Sequence, residues 1–114
     1  MYKYVLILAY SLSSIAFASS SDVAWEPRLD FTLENSNFRE TMHWISGWSY
    51  ALTSQIGYEK NMGLPSVFCL KDGEEIGSKF IVDTLNTKFK AKTISADEAA
   101  PIIWSAIVDR YGCK

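Results

Sequence analysis

The two cysteines limit what this chain can fold into more than any other feature. Cys69 and Cys113 are the only ones it has. An even cysteine count in a small exported domain reads as a disulfide, with two free thiols as the alternative. A bridge would close a loop of about 45 residues, which the chain-entropy account values at about 4 kcal/mol before any native strain. Small domains are stable by only about 5–10 kcal/mol, so such a staple would carry a large share of the total. Its role is structural on this reading.

Export itself is read from the N-terminus. The opening "MYKYVLILAYSLSSIAFASSS" has the order of a secretory signal peptide. Lys3 supplies the positive start, an apolar run begins at Val5 and reaches Phe17, and Ala16-Phe17-Ala18 is an A-x-A cleavage site. The alternative is a membrane-spanning helix, which needs about 20 consecutive apolar residues. Ser11, Ser13 and Ser14 interrupt this one. Residues 1–18 are therefore assigned to a cleaved signal, residues 19–36 to an extended N-terminal arm and residues 37–114 to a helical domain, with no stable membrane insertion after cleavage.

Cleavage leaves about 96 residues, enough for one small domain around one core. Lys3 goes with the signal, so 11 basic residues become 10 against 13 acidic ones, and the net charge moves from −2 to −3. With no basic stripe to neutralise phosphates, nucleic acid is not an expected partner. Mild acidity suits a basic partner but is also common on solvated surfaces.

Three helices are expected. The first spans about Phe38 to Gln55, opened by Asn37 and Glu40 in a capping-box arrangement. Phe38, Met42, Ile45, Trp48, Leu52 and Ile56 recur at helical spacing, with Trp44 and Ala51 widening the stripe. A loop, "GYEKNMGLPSVF", then delivers Cys69. The second helix is expected from about Glu74 to Lys90, with Asp72, Glu74 and Glu75 at its start and Lys88, Lys90 and Lys92 at its end, complementing the helix dipole. The third opens on the capping box Ser95-Ala96-Asp97-Glu98 and is stopped by Gly112. Pro101 implies either a separate capping turn with the main helix starting near Ala100, or a bend. Upstream of all three, "SDVAWEPRLDFTLENS" reads as an arm that lays Trp25 or Phe31 onto the body, with a short strand as an option. The resulting fold class is all-α, a small three- to four-helix domain with one disulfide.

No catalytic residue is expected. A hydrolase needs a nucleophile, a base and an orienting group. The single histidine is His43, and both cysteines are assigned to the bridge. One histidine and two distant cysteines do not make a zinc site, and Gly73 and Gly77 do not make a phosphate loop. The adjacent carboxylates Glu74-Glu75 and Asp97-Glu98 sit where helix capping calls for them. No metal and no cofactor follow.

The stretch "HWISGWSYAL", residues 43–52, is two-sided at helical spacing. Trp44 and Trp48 lie in the apolar arc and read as core or as a seam. Arg39, His43, Ser46 and Tyr50 fall opposite them. Tyr and Arg are favoured interface anchors, so Arg39, His43 and Tyr50 are candidate partner-binding residues, the alternative being a solvated face. Tyr58 and Met62, placed in the following loop, are the next candidates, because loops carry variable recognition. Gly47 is costly inside a helix and suggests the close approach of another helix or a partner.

The order of "WISGWSYAL", a Gly/Pro loop into "CLKDG", a helix with "FIVDTL" and the ending "ISADEAAPIIWSAIVDRYGC" resembles the Rap/Tai family of periplasmic immunity proteins. These neutralise peptidoglycan-cleaving amidase effectors of type VI secretion systems. The resemblance spans roughly Phe38 to Cys113, and is carried by Gly47, Cys69-Leu70 with Gly73, Leu85 and the Ala106–Cys113 ending. The family tends to end aromatic–Pro–Cys, where this chain has Tyr111-Gly112-Cys113. It often carries Tyr-Leu and then His-Pro around the end of the middle helix, where this chain has Thr84-Leu85 and no His-Pro.

The resemblance implies a periplasmic, disulfide-linked helical inhibitor that binds a protein effector stoichiometrically and occludes its cleft, with a homodimer as a further option. No chemistry occurs in such a chain. Two other classes share the same features. One is a periplasmic acid-stress chaperone that opens when its carboxylates are protonated. The other is a non-inhibitory subunit of an envelope complex.

Overall fold

The computed structural model describes residues 26–114. The assigned signal peptide and Trp25 lie outside them. Five elements follow in order: β1 (Thr32–Leu33), α1 (Phe38–Met62), α2 (Ser78–Lys88), β2 (Thr93–Ile94) and α3 (Ala96–Tyr111). The described chain is thus mostly helical, as expected, with one small addition of strand.

α1 starts where the capping residues place it. The Asn37 side chain accepts the Glu40 amide at 2.9 Å and donates its own NH2 to the Glu40 carboxylate at 2.9 Å. Its end is seven residues later than the sequence reading. Gly57 does not stop it, since one interior glycine costs only about 1 kcal/mol relative to alanine. Gly63 does, because it takes the left-handed conformation (φ 67°) that most side chains avoid. The Leu64 amide then donates to the Glu59 carbonyl at 2.8 Å and the Gly63 amide to Lys60 at 3.3 Å, the paired closure that satisfies a helix's last carbonyls. Tyr58 and Met62 are therefore helical residues, not loop residues.

α2 is shorter than expected at both ends. Glu74 to Gly77 precede it, so Asp72, Glu74 and Glu75 are not in its first turn, and Gly77 caps it with no side-chain bond. Ile76 is nonetheless buried, because its carbonyl accepts the Ser49 hydroxyl of α1 at 2.6 Å and fixes the loop there. Lys88 lies in the last turn, while Lys90 and Lys92 lie beyond it.

α3 resolves the Pro101 question in favour of one continuous helix from Ala96. Ser95 and Glu98 cap each other's backbone amides at 3.1 Å. A proline at position 101 removes only the amide that would bond the Asp97 carbonyl. Both residues are exposed, so water reaches that carbonyl.

The arm is held by the rest of the chain. Thr32 and Leu33 pair in parallel with Thr93 and Ile94, through the Thr32 amide to Lys92 (2.9 Å) and the Glu34 amide to Ile94 (2.8 Å). Upstream, the Asn86 side chain brackets the backbone, accepting the Asp30 amide at 2.8 Å and donating to the Arg28 carbonyl at 2.7 Å. Phe31 and Leu33 consequently enter the core. That core is built from Ile45, the inner faces of α2 (Ile81, Val82, Leu85) and α3 (Ala99, Ile103, Ile107, Tyr111), with Ile76 and Ile94 closing it. On α1 only Thr41 and Ile45 are buried.

The bridge forms as expected between Cys69 and Cys113, whose Cα atoms are 4.8 Å apart. Backbone bonds flank it: the Cys69 amide donates to Tyr111 (2.8 Å) and the Cys113 amide to Val67 (2.9 Å). Phe68 lies edge-on to Trp104, ring centres 5.5 Å apart. The long loop after α1 is thus clamped to the end of α3.

Candidate partner-binding surface

The polar side of α1 is assembled as expected. Arg39, His43, Ser46 and Tyr50 are all exposed, Tyr50 at 77%. At about 100° per residue they fall within a narrow strip along the helix. Tyr58 and Met62 do not join it. They are exposed, but lie roughly 80° and 120° round the helix from Tyr50. The five candidates therefore divide between two faces, which a loop assignment for Tyr58 and Met62 concealed.

The strip that carries Tyr50 continues two turns later through Gly57 into a hollow of about 520 Å³. One wall is the C-terminal half of α1, with Ile56, Gly57 and Lys60; the other is the stapled loop from Leu64 to Glu75. Leu64, Phe68 and Leu70 supply its apolar lining, Lys60, Lys71 and Asp72 much of its charged edge. Cys69 itself lines it, so the bridge to Cys113 holds the loop wall in place. Glu74, freed from the first turn of α2, accepts the Lys71 amide at 3.3 Å and tightens the turn at Gly73. Gly73 has a φ of 76°, a left-handed conformation suited to glycine.

Sequence reasoning named Tyr50 but missed this hollow and the exposed loop residues Leu64 and Val67, which are 49% and 56% accessible. The signal was present in "GLPSVFCL": apolar residues on either side of Pro65, in a segment that a disulfide prevents from collapsing elsewhere.

Trp44 and Trp48 are half-buried and do not form core proper. Their rings meet edge to face with centres 6.1 Å apart, one side against the core and the other open. A Cβ at Gly47 would meet nothing within 4 Å, so no approach within the described chain accounts for that glycine.

One carboxylate of each adjacent acidic pair takes a structural role. Glu98 is engaged in the α3 cap and Glu74 in its turn. Among the described residues, no group of three or more His, Cys, Asp or Glu side chains could hold a metal ion. No described helix is long and apolar enough to cross a membrane. Compared with known proteins, the chain matches no family model, no curated protein and no solved structure.

Proposed function

We propose that this protein is an exported binding protein of the immunity class, one that docks onto a peptidoglycan amidase effector and occludes its cleft. The observation that carries a binding role is the pairing of an exposed tyrosine strip with a preformed hollow at its end. An aromatic anchor beside a recessed apolar pocket with a charged edge is the arrangement that interface hot spots use. The disulfide favours inhibition over adaptable binding. A wall fixed before the partner arrives costs less ordering entropy on association. The amidase as partner, and the periplasm as location, come from the family resemblance of "WISGWSYAL" through "DRYGC" together with the leader-like N-terminus. Tyr50, with Arg39 and His43, is the proposed protruding element, and the hollow receives a side chain of the effector.

Affinity capture at neutral pH tests this, with the oxidised mature chain as bait in lysate of source cells expressing their secretion effectors. The expected result is one cell-wall hydrolase recovered at near-equal stoichiometry with its activity lost. Tyr50→Ala and Lys60→Glu, both at exposed positions, should each release it without unfolding the bait. Recovery with activity intact would favour an envelope-complex subunit. Recovery of many unrelated proteins at pH 3, and none at pH 7, would replace the reading with the acid-stress chaperone.

A further inference from the structure

The hollow at the end of the Tyr50 strip has a basic end and an acidic end. Its loop wall runs back along α1 between two anchors. At the first, the Leu64 amide donates to the Glu59 carbonyl at 2.8 Å; at the second, the Ser49 hydroxyl donates to the Ile76 carbonyl at 2.6 Å. Lys60 stands beside the first anchor, and Asp72, Glu74 and Glu75 precede the second. Lys71 lies among these three carboxylates and leaves that end net negative. Lys60, Asp72 and Glu75 are exposed, and none of them forms an ion pair with another described residue.

Between the two ends the lining is apolar. Ser66, Phe68 and Leu70 lie two apart in the extended stretch whose Val67 carbonyl and Cys69 amide pair with Cys113 and Tyr111, so they share a face. Phe68 is buried, while Leu70 and, on the α1 wall, Ile56 are half-buried. Lys60 and Ser49 are eleven residues apart on α1, or about 16 Å along its axis. An extended chain rises about 3.3 Å per residue and turns alternate side chains to one side, so the first, third and fifth of five residues span about 13 Å on one face. That span fits between the charged ends, whose side chains reach inwards.

We infer that the hollow holds an extended segment of the partner protein that carries an acidic, an apolar and a basic residue at alternate positions. The apolar side chain enters between Ile56 and Leu70, the carboxylate faces Lys60, and the cation faces Asp72 and Glu75. This rests on the binding role proposed above and adds the chemistry of what enters the hollow. The apolar side chain supplies most of the affinity, because exposed ion pairs contribute little. The charges set the orientation and the choice of segment. A segment with two acidic or two basic residues would bring like charges together at one end, which is how a site rejects a wrong partner. An apolar residue alone would account for the lining but not for charges of opposite sign held at its two ends.

Titration of the oxidised mature chain with the end-blocked peptide Asp-Gly-Leu-Gly-Lys, followed through backbone amide chemical shifts, tests the inference. Saturable shifts at Gly57, Lys60 and Phe68 to Lys71 are expected, with a Kd on the order of 1 mM. Alanine in place of the peptide's leucine should weaken binding about tenfold or more. Lys60→Glu should weaken it about threefold or more and should instead favour a peptide with lysine in place of the aspartate. Lys90→Glu, a charge reversal outside the hollow, leaves the affinity unchanged, and circular dichroism checks that both variants fold. No saturable shift up to about 10 mM peptide would overturn the inference. Shifts centred elsewhere, or binding indifferent to the leucine or to Lys60→Glu, would do the same. Peptide binding by a chain that captures no amidase would keep the inference and overturn the amidase as partner. Capture of an amidase by a chain that binds no peptide would keep that partner and overturn the inference.

Discussion

Cys69 and Cys113 are joined twice over: by their sulfurs, and by a backbone ladder in which the Cys69 amide donates to Tyr111 and the Cys113 amide to Val67. The covalent and non-covalent links have different consequences. The bridge restricts the unfolded chain over a loop of about 45 residues, whereas the ladder and the Phe68–Trp104 contact act in the folded state. Cys69→Ser with Cys113→Ser should therefore lower the unfolding free energy by up to about 4 kcal/mol while leaving helix content unchanged at 25 °C. Urea titration followed by circular dichroism, with and without the substitutions, measures this.

Two glycines should respond in opposite directions. At Gly112 a Cβ would collide with the Val108 carbonyl oxygen, so Gly112→Ala should destabilise by about 1–3 kcal/mol. At Gly47 a Cβ meets nothing, and the residue is mid-helix, so Gly47→Ala should raise monomer stability by up to about 1 kcal/mol. Thermal melts of each variant against the parent separate the two.

Asn86 holds the arm through two hydrogen bonds to backbone 56 and 58 residues away in sequence. Asn86→Ala should speed amide hydrogen exchange at Asp30, Thr32 and Glu34, and leave the α3 amides protected. Equal exchange rates in the variant and the parent would show that the β1–β2 pairing alone secures the arm.

Core and surface substitutions on α1 should separate cleanly. Ile45 is 0% exposed and Ile45→Ala should cost about 2–5 kcal/mol through the cavity it leaves. Tyr50 is 77% exposed, and Tyr50→Ala should change stability by less than about 0.5 kcal/mol while removing partner binding. Denaturation midpoints and capture yields, taken on the same samples, check both halves.

Much of this structure is written locally. The starts of α1 and α3 follow from Asn37–Glu40 and Ser95–Glu98, because a cap is made within four residues and needs no partner from elsewhere. Ala99, Ile103, Ile107 and Tyr111 recur every four residues, so one face of α3 is core for a similarly local reason. The cysteine pairing was legible because there were only two to pair.

The tertiary structure decided the rest. Whether Gly57 or Gly63 ends α1 depends on which one can turn left-handed and return the following amides to Glu59 and Lys60. Both are glycines in a similar local context, and the outcome shifts Tyr58 and Met62 from a loop onto a helix face. Glu74 and Glu75 suit a helix start by sequence, yet the Ser49–Ile76 hydrogen bond holds that segment as loop. The hollow at the end of the Tyr50 strip is walled by Leu64 to Glu75, which the bridge and the backbone ladder tie to the far end of the chain. Local sequence set the caps and periods through near-neighbour hydrogen bonds; contacts between distant segments set the element lengths and the binding faces, because their energies depend on partners that no local window contains.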